Sequence, residues 1–330
     1  IYVNYKIIFK SMNKIKSFFE ETTKKMLPRI LTQICRDPNS NNFGCCDRNY
    51  WHYKITDFPS IILQQAIYSL SIFQEQITDK DLKDYISKII TAGGNFWEKR
   101  AIRYRSFEEY YPHENGYPPL AFSTLSMAKL CYNNKIKIKD VSRGLLKARK
   151  KLYYSFETKA FNQQIIGTTA LAYIEKLLPD NDDKLMQVID KTLNHQSVDG
   201  WFMEYDGPDL GYLSVSLDGL WDLYDVTKNE KCLKSINNAT DFIVNTIDKF
   251  KDGLMIYNSR NTNYIVPYGL MRSYFHNNKS MKIYRSLKYL YQPKSNEFHF
   301  IDSTDDRYIC HYIGHSFVRA NNLLQTKKLR

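Results

Sequence analysis

Residues 199–222, DGWFMEYDGPDLGYLSVSLDGLWD, decide the fold. The first ten crowd aromatics, glycines, carboxylates and a proline into a loop. The loop runs straight into an apolar stretch in which Leu210, Leu213, Leu217, Leu220 and Leu223 recur at steps of three and four, the period of one helix face. Asp209, following Pro208, is placed to cap that helix. A polar, aromatic loop feeding the N-terminus of a buried helix is a common way to build a site for a polar ligand.

The arrangement recurs along the chain. Helical periodicity predicts helices over 12–35, 57–75, 79–103, 118–133, 138–155, 162–178, 181–195, 209–226, 229–249, 263–276, 279–290 and 306–325, and strand signals are sparse. The helices alternate in character. KDVSRGLLKARKKLYYSF, from 139, is charged and amphipathic, whereas PPLAFSTLSMAKLCY, from 118, is apolar on most sides and so expected to be buried on most sides. The apolar helices start about every 40–60 residues, a helical-hairpin repeat. Six hairpins with outer and inner helices predict an all-α, single-domain (α/α)6 toroid over 12–330, with an open solenoid as the alternative. Residues 1–11 precede Met12, a natural start, and are read as an appended or non-native segment.

Each apolar helix follows a loop dense in polar and aromatic residues: DRNYWHYKITDFP (47–59), EEYYPHENGYPP (108–119), FNQQ (161–164), the quoted loop, NSRNTNYIVPYG (258–269) and FIDSTDDRYICHY (300–312). The other connections, such as QEQITDK and DVTKNE, are plainer. In a toroid the richer loops would gather at one end.

Composition narrows the functional classes. The formal charge of +12 suits an anionic partner, although joint enrichment in Lys, Asn, Ile and Tyr also reads as codon bias. No glycine-rich or aromatic-interleaved basic motif speaks for nucleic acid. No apolar run approaches the roughly 18 residues that span a bilayer. The six cysteines lack a C-x-x-C pair and are too scattered for a disulfide scaffold. Reduced thiols in a cytoplasmic protein are the simplest reading, with a periplasmic location left open. Walker, dinucleotide-binding and G-x-S-x-G motifs are absent, so no cofactor is expected.

The hairpin count and loop character resemble the six-hairpin toroid enzymes, which include unsaturated-glucuronyl hydrolases and heparinase-type polysaccharide lyases. The resemblance spans nearly the whole chain and rests on architecture. The quoted segment also resembles a repeat of terpenoid-cyclase and prenyltransferase toroids. DSTDD (302–306) departs from the cyclase acidic motif by one residue, and CHYIG (310–314) matches only part of the lanthionine-cyclase zinc element. The carbohydrate enzymes are therefore the leading analogy. It implies a uronate-containing glycan processed by β-elimination, epimerisation or hydrolysis, with an isoprenoid-type enzyme or a non-catalytic scaffold as alternatives.

Hydrolysis needs two carboxyl groups, one of them protonated. Glu204, flanked by Trp201, Phe202 and Tyr205, is the expected acid with a raised pKa. Asp209 and Asp306 are possible partners that could equally cap helices, and Asp57 lies in the first loop. For elimination, the lyase resemblance implies proton transfer by tyrosine or histidine and a polar clamp on the carboxylate. It draws on His52, His113, Tyr117, Tyr205, Tyr212, Tyr268, His311, Arg48, Arg307, Asn162 and Gln163. With 26 tyrosines in the chain, most serve packing. Trp51 and Trp201 are expected to stack on sugars, and Trp97 and Trp221 to pack. Ser214, Ser216 and Asp218 interrupt an apolar helix and require hydrogen-bond partners or a wet cavity. His311 and His315, four residues apart, could hold zinc on one helix face but are read as satisfied by neighbours, so no metal is expected.

Overall fold

A computed structural model describes residues 2–104, 107–180, 184–250, 257, 264–278, 280–292 and 299–327. The described chain is all-helical, and its only β-type pairings are isolated bridges of Glu204 with Ala160 and Gly207. Long helices are α1 (Tyr2–Gln33), α2 (Ala66–Gln76), α3 (Lys80–Lys99), α4 (Tyr117–Tyr132), α5 (Ser142–Tyr154), α6 (Phe161–Leu177), α7 (Lys184–Leu193), α8 (Leu210–Thr227), α9 (Glu230–Phe250), α10 (Tyr268–His276), α11 (Met281–Tyr291) and α12 (Gly314–Thr326). Helix α1 continues through residue 11 without a break.

Two expected helices differ from the sequence reading. The helix expected from 57 starts late: after a short helical turn, Arg48–Trp51, residues 52–60 are non-helical, and a 3-10 turn, Ile61–Gln65, leads into α2. The last helix is broken: a turn at Asp306–Tyr308 passes into a π-helical stretch, Ile309–Ile313, before α12 begins. His311 has ψ −162° inside that stretch, so His311 and His315 do not share a regular helix face. Residues 258–263 of the expected fifth loop lie outside the described residues.

The two helix classes follow from their patterns. In α4 every residue from Pro119 to Cys131 is buried, and in α8 every residue from Leu210 to Leu223. In α9 burial is confined to a stripe including Cys232, Ile236, Ala239, Ile243 and Ile247, which recur at three and four. Trp97 of α3 and Trp221 of α8 are fully buried, and their indole N–H groups donate to Ser123 (2.9 Å) and Ser273 (3.1 Å), so both are packing residues with satisfied polar tips.

Each apolar helix borders two others: α4 and α6, α6 and α8, α8 and α10, α10 and α12, and α12 and α2 are neighbours, while the 3-10 turn leading into α2 packs on α4. The amphipathic helices lie against these, α3 on α2, α5 on α4 and α6, α7 on α6, α9 on α8, α11 on α10 and α1 on α12.

The α8–α10 approach depends on Gly269. A Cβ there would stand 2.7 Å from Leu217 Cγ and 3.0 Å from both the backbone nitrogen and Oδ1 of Asp218. Backbone and branched side chain cannot yield freely, so Gly269→Ala should cost about 1–3 kcal/mol by overpacking. Chemical denaturation would measure it, and an unchanged midpoint would show that the helices separate without strain.

Candidate functional site

Most of the loops that precede the apolar helices contact a neighbouring loop, and the fifth contacts α8. Ile61 N–H donates to the Glu108 carbonyl at 2.8 Å, joining the first and second loops. Tyr117 O–H donates to Gln164 Oε1 at 2.9 Å, and Glu157 N–H reaches the same oxygen at 2.8 Å, joining the second and third. Asn162 binds Glu204, joining the third and fourth. Val266 N–H donates to Ser214 Oγ at 2.8 Å, linking the fifth loop to α8. The rings of Tyr264 and Tyr308 lie 6.5 Å apart, linking fifth and sixth. Arg307 reaches Asp47 at 3.5 Å, returning to the first. The opposite-end turns at 77–79 and 228–229 are short.

Within this rim, Glu204 is buried. Its Oε1 accepts from Asn162 N–H at 2.6 Å and its Oε2 from Asn162 Nδ2 at 2.8 Å. Burial raises its pKa to about 8; the Asn162 bonds oppose the rise, while Asp209 and Glu157 add to it. The raised pKa matches the expectation for a general acid, but the geometry has a second meaning. Glu204 satisfies an N–H in the first turn of α6, where a helix leaves such donors without internal partners. Asp209 is the N-cap of α8, accepting from Tyr212 N–H at 2.9 Å. Asn162 is buried and Gln163 half-buried.

The remaining candidates divide by exposure. Asp306 pairs with Arg29 at 2.5 Å, and Asp305 caps the turn that follows it, accepting from Arg307 N–H. Trp51 is half-buried and donates its indole N–H to the Gln33 carbonyl at 2.8 Å. Trp201 is partly buried and packs on the core, while Tyr212 is buried with its ring 6.3 Å from that of Tyr205. His311 stacks on Tyr308 at 5.3 Å. Asp57 and His52 are exposed, and His52 packs edge-on to the exposed Tyr53. His113 and Tyr205 are exposed too, and their backbones share an unusual feature. His113 has φ +63° and Tyr205 φ +60°, a left-handed conformation costly for non-glycine residues. His113 is held by its N–H on Glu108 Oε1 (3.0 Å), and Glu108 is itself buried against Arg100 at 2.7 Å. Tyr205 is held by its N–H on the Lys159 carbonyl at 2.5 Å.

A second polar centre lies among the apolar helices, built from the C-terminal halves of α4, α6 and α8 and the N-terminal halves of α2, α10 and α12. Lys129 of α4 meets Asp222 of α8 at 2.7 Å, and Arg319 of α12 binds the other Asp222 oxygen. Tyrosines from the intervening helices surround them. Lys129 Nζ lies 4.7 Å from the ring of Tyr68 on α2 and 5.9 Å from that of Tyr173 on α6, and Arg319 stacks at 3.5 Å on Tyr268 at the start of α10. One residue from each of the six helices thus enters one layer, charged and tyrosyl by turns. Burial alone would raise the Asp222 pKa, but Arg319 and Lys129 outweigh it and hold the carboxylate ionised. Burial and the two cations push His315 well below the usual histidine range, leaving it neutral.

Of this layer, only Tyr268 is among the residues the sequence singles out. The signals were present: Lys129 is the lone charge in an otherwise apolar helix, Asp222 follows Asp218 by four, and Arg319 follows His315 by four. Among the described residues no group of His, Cys, Asp and Glu is arranged to hold a metal, and no helix is long and apolar enough to cross a membrane. Comparison with protein-family models, with curated proteins and with solved structures finds no match to this chain.

Proposed function

We propose that the chain is a six-hairpin (α/α)6 toroid that processes an anionic, uronate-containing glycan at its loop-bearing end. The neighbour order of the apolar helices, with α12 returning to α2, supports the closed arrangement. So does the layer to which all six contribute. The observation that carries the functional reading is the set of loops before the apolar helices, which present Tyr53, Tyr110, Tyr111, His113 and Tyr205 to solvent. Aromatic faces stack on sugar rings, and the net charge of +12 draws an acidic polymer to the surface.

The chemistry best suited to these groups is proton abstraction beside the uronate carboxyl, leading to elimination or epimerisation. Glu204, engaged at both oxygens by Asn162, is a cap more than an acid. Tyr205 and His113, exposed and held in a strained backbone conformation, are the groups for proton transfer, with Arg307 toward the carboxylate. An isoprenoid enzyme would wall its substrate with apolar groups, and the Lys129–Asp222–Arg319 layer argues against that alternative.

The test is incubation with a panel of uronate-containing glycans in deuterated water, read by mass spectrometry. Fragments one water lighter than hydrolysis products mean elimination, and deuterium uptake without cleavage means epimerisation. Tyr205→Phe should then lower kcat by ~10²–10⁴-fold, the usual contribution of a positioned acid or base, with KM little changed. Hydrated fragments, or no change on any glycan, would refute the reading.

A further inference from the structure

The second loop is closed on itself around one histidine. Gly116 N–H donates to the Phe107 carbonyl at 2.9 Å, which shuts the loop, and inside it Glu114 Oε1 accepts from Tyr110 N–H at 2.8 Å. Lys151 of α5 donates to Asn115 Oδ1 and ties the loop to an amphipathic helix. His113 and Asn115 both have left-handed backbone, φ +63° and +51°. Asparagine visits that region readily, whereas a histidine stays there only where its surroundings over-determine it.

Glu108 supplies that constraint. Its side chain is 3% exposed, and its Oε2 accepts from Arg100 at 2.7 Å. Its Oε1 accepts from His113 N–H at 3.0 Å, and the same carboxylate oxygen stands 3.9 Å from His113 Nδ1. The histidine side chain is 85% exposed. A buried carboxylate with its own counter-charge thus faces one ring nitrogen, while most of the ring lies in solvent.

We propose that Glu108 is the positioning residue of His113: it holds the ring proton on Nδ1 and leaves Nε2 as the exposed proton acceptor. The geometry stands by itself, and the role of Nε2 rests on the glycan-processing reading. An ionised carboxylate only accepts hydrogen bonds and a neutral imidazole carries a single N–H, so an acceptor beside Nδ1 selects the Nδ1–H tautomer. In water the free ring prefers its proton on Nε2, which would turn an N–H rather than a lone pair toward a substrate. Closing 3.9 Å to hydrogen-bond length takes a shift of about 1 Å, and catalytic hydrogen bonds are often long before substrate binds. Nε2 then takes the proton from the carbon beside the uronate carboxyl. The C–H bond breaks, the N–H bond forms, and the electron pair passes into the carboxyl group as its enediolate. Glu108 stands beside the imidazolium so produced. Elimination and epimerisation share this step.

Long-range 1H–15N NMR of the full chain carrying 15N-histidine tests this. Spectra are recorded at about pH 9, where an ordinary imidazole is neutral. His113→Asn identifies the resonances, because asparagine accepts the left-handed backbone. The Nδ1–H tautomer should dominate at His113. Glu108→Gln keeps an oxygen for His113 N–H and should lower the ratio of Nδ1–H to Nε2–H by at least ~10-fold, the loss of a hydrogen bond to a charged group. Melting curves verify that the variant is folded; where it is not, the wild-type tautomer decides alone. A carboxylate that serves only to hold the loop would leave the ring at its solution ratio. A dominant Nε2–H form in the wild-type chain, or an unchanged ratio in the folded variant, would overturn the proposal. This measurement needs no glycan. The expected tautomer without turnover of any uronate-containing glycan would refute the glycan-processing reading and leave the Glu108–His113 coupling intact. Where turnover is found, Glu108→Gln should lower kcat at least ~10-fold with KM little changed, and an unchanged kcat would overturn the role of Nε2.

Discussion

Asp222→Asn should destabilise the fold by on the order of 3–5 kcal/mol, the cost of breaking a buried ion pair from one side. Asp222 is 3% exposed and is the shared counter-charge of Lys129 and Arg319. Without it, two cations remain in a layer otherwise lined by Tyr68, Tyr173 and Tyr268, whose ring faces offer only partial compensation. Removing the whole network is a different experiment. Lys129→Met, Asp222→Leu and Arg319→Leu together replace the charges by apolar groups of similar bulk, which in buried networks is often neutral or stabilising. Urea denaturation of the single and triple variants therefore separates attraction within the layer from desolvation of its members. The single variant should lose most of its midpoint and the triple variant should recover it. A single variant within about 1 kcal/mol of wild type would mean that water reaches the cations freely.

The same layer shows where sequence reasoning reaches its limit. The burial of α4, α6 and α8 was legible, because a run such as PPLAFSTLSMAKLCY leaves no face for water. The cap at Asp209 was legible because capping is a local rule acting within three residues. Asp222, Lys129 and Arg319 are 93 and 97 residues apart along the chain, and no local spacing encodes their meeting. The break at His311 was invisible for a related reason. The residues of 306–325 have ordinary helical character, and the π-helical stretch fits the chain between Arg29, Asp47 and the core, a tertiary demand. For Glu204 the aromatic neighbours gave the right direction of pKa shift. Its partner Asn162, 42 residues upstream, changes what that shift means.

That meaning is testable through pH. The Glu204 carboxyl carries its proton up to about pH 8 in the folded chain, against an ordinary value of 4.5. Between those values the unfolded chain has released the proton and the folded chain retains it. Folding stability from this group is thus fully present below about pH 4.5 and falls as pH rises through about 8. The whole shift corresponds to on the order of 5 kcal/mol, a large part of the stability of a typical domain. Glu204→Gln removes the titration but not the shape. Its carbonyl still accepts from Asn162 N–H, and an amide flip of Asn162 offers the new Nε2 an oxygen. The variant should match wild type near pH 4.5, surpass it by several kcal/mol near pH 9, and show a flatter stability profile between. Equilibrium denaturation across that range decides the matter. Parallel profiles would mean that Glu204 is ionised in the folded chain at neutral pH and that the α6 N-terminus stabilises the carboxylate more than burial opposes it. A flattened profile with glycan turnover unchanged would fix Glu204 as the clasp between the third and fourth rim loops. The proton chemistry would then rest with the exposed Tyr205 and His113.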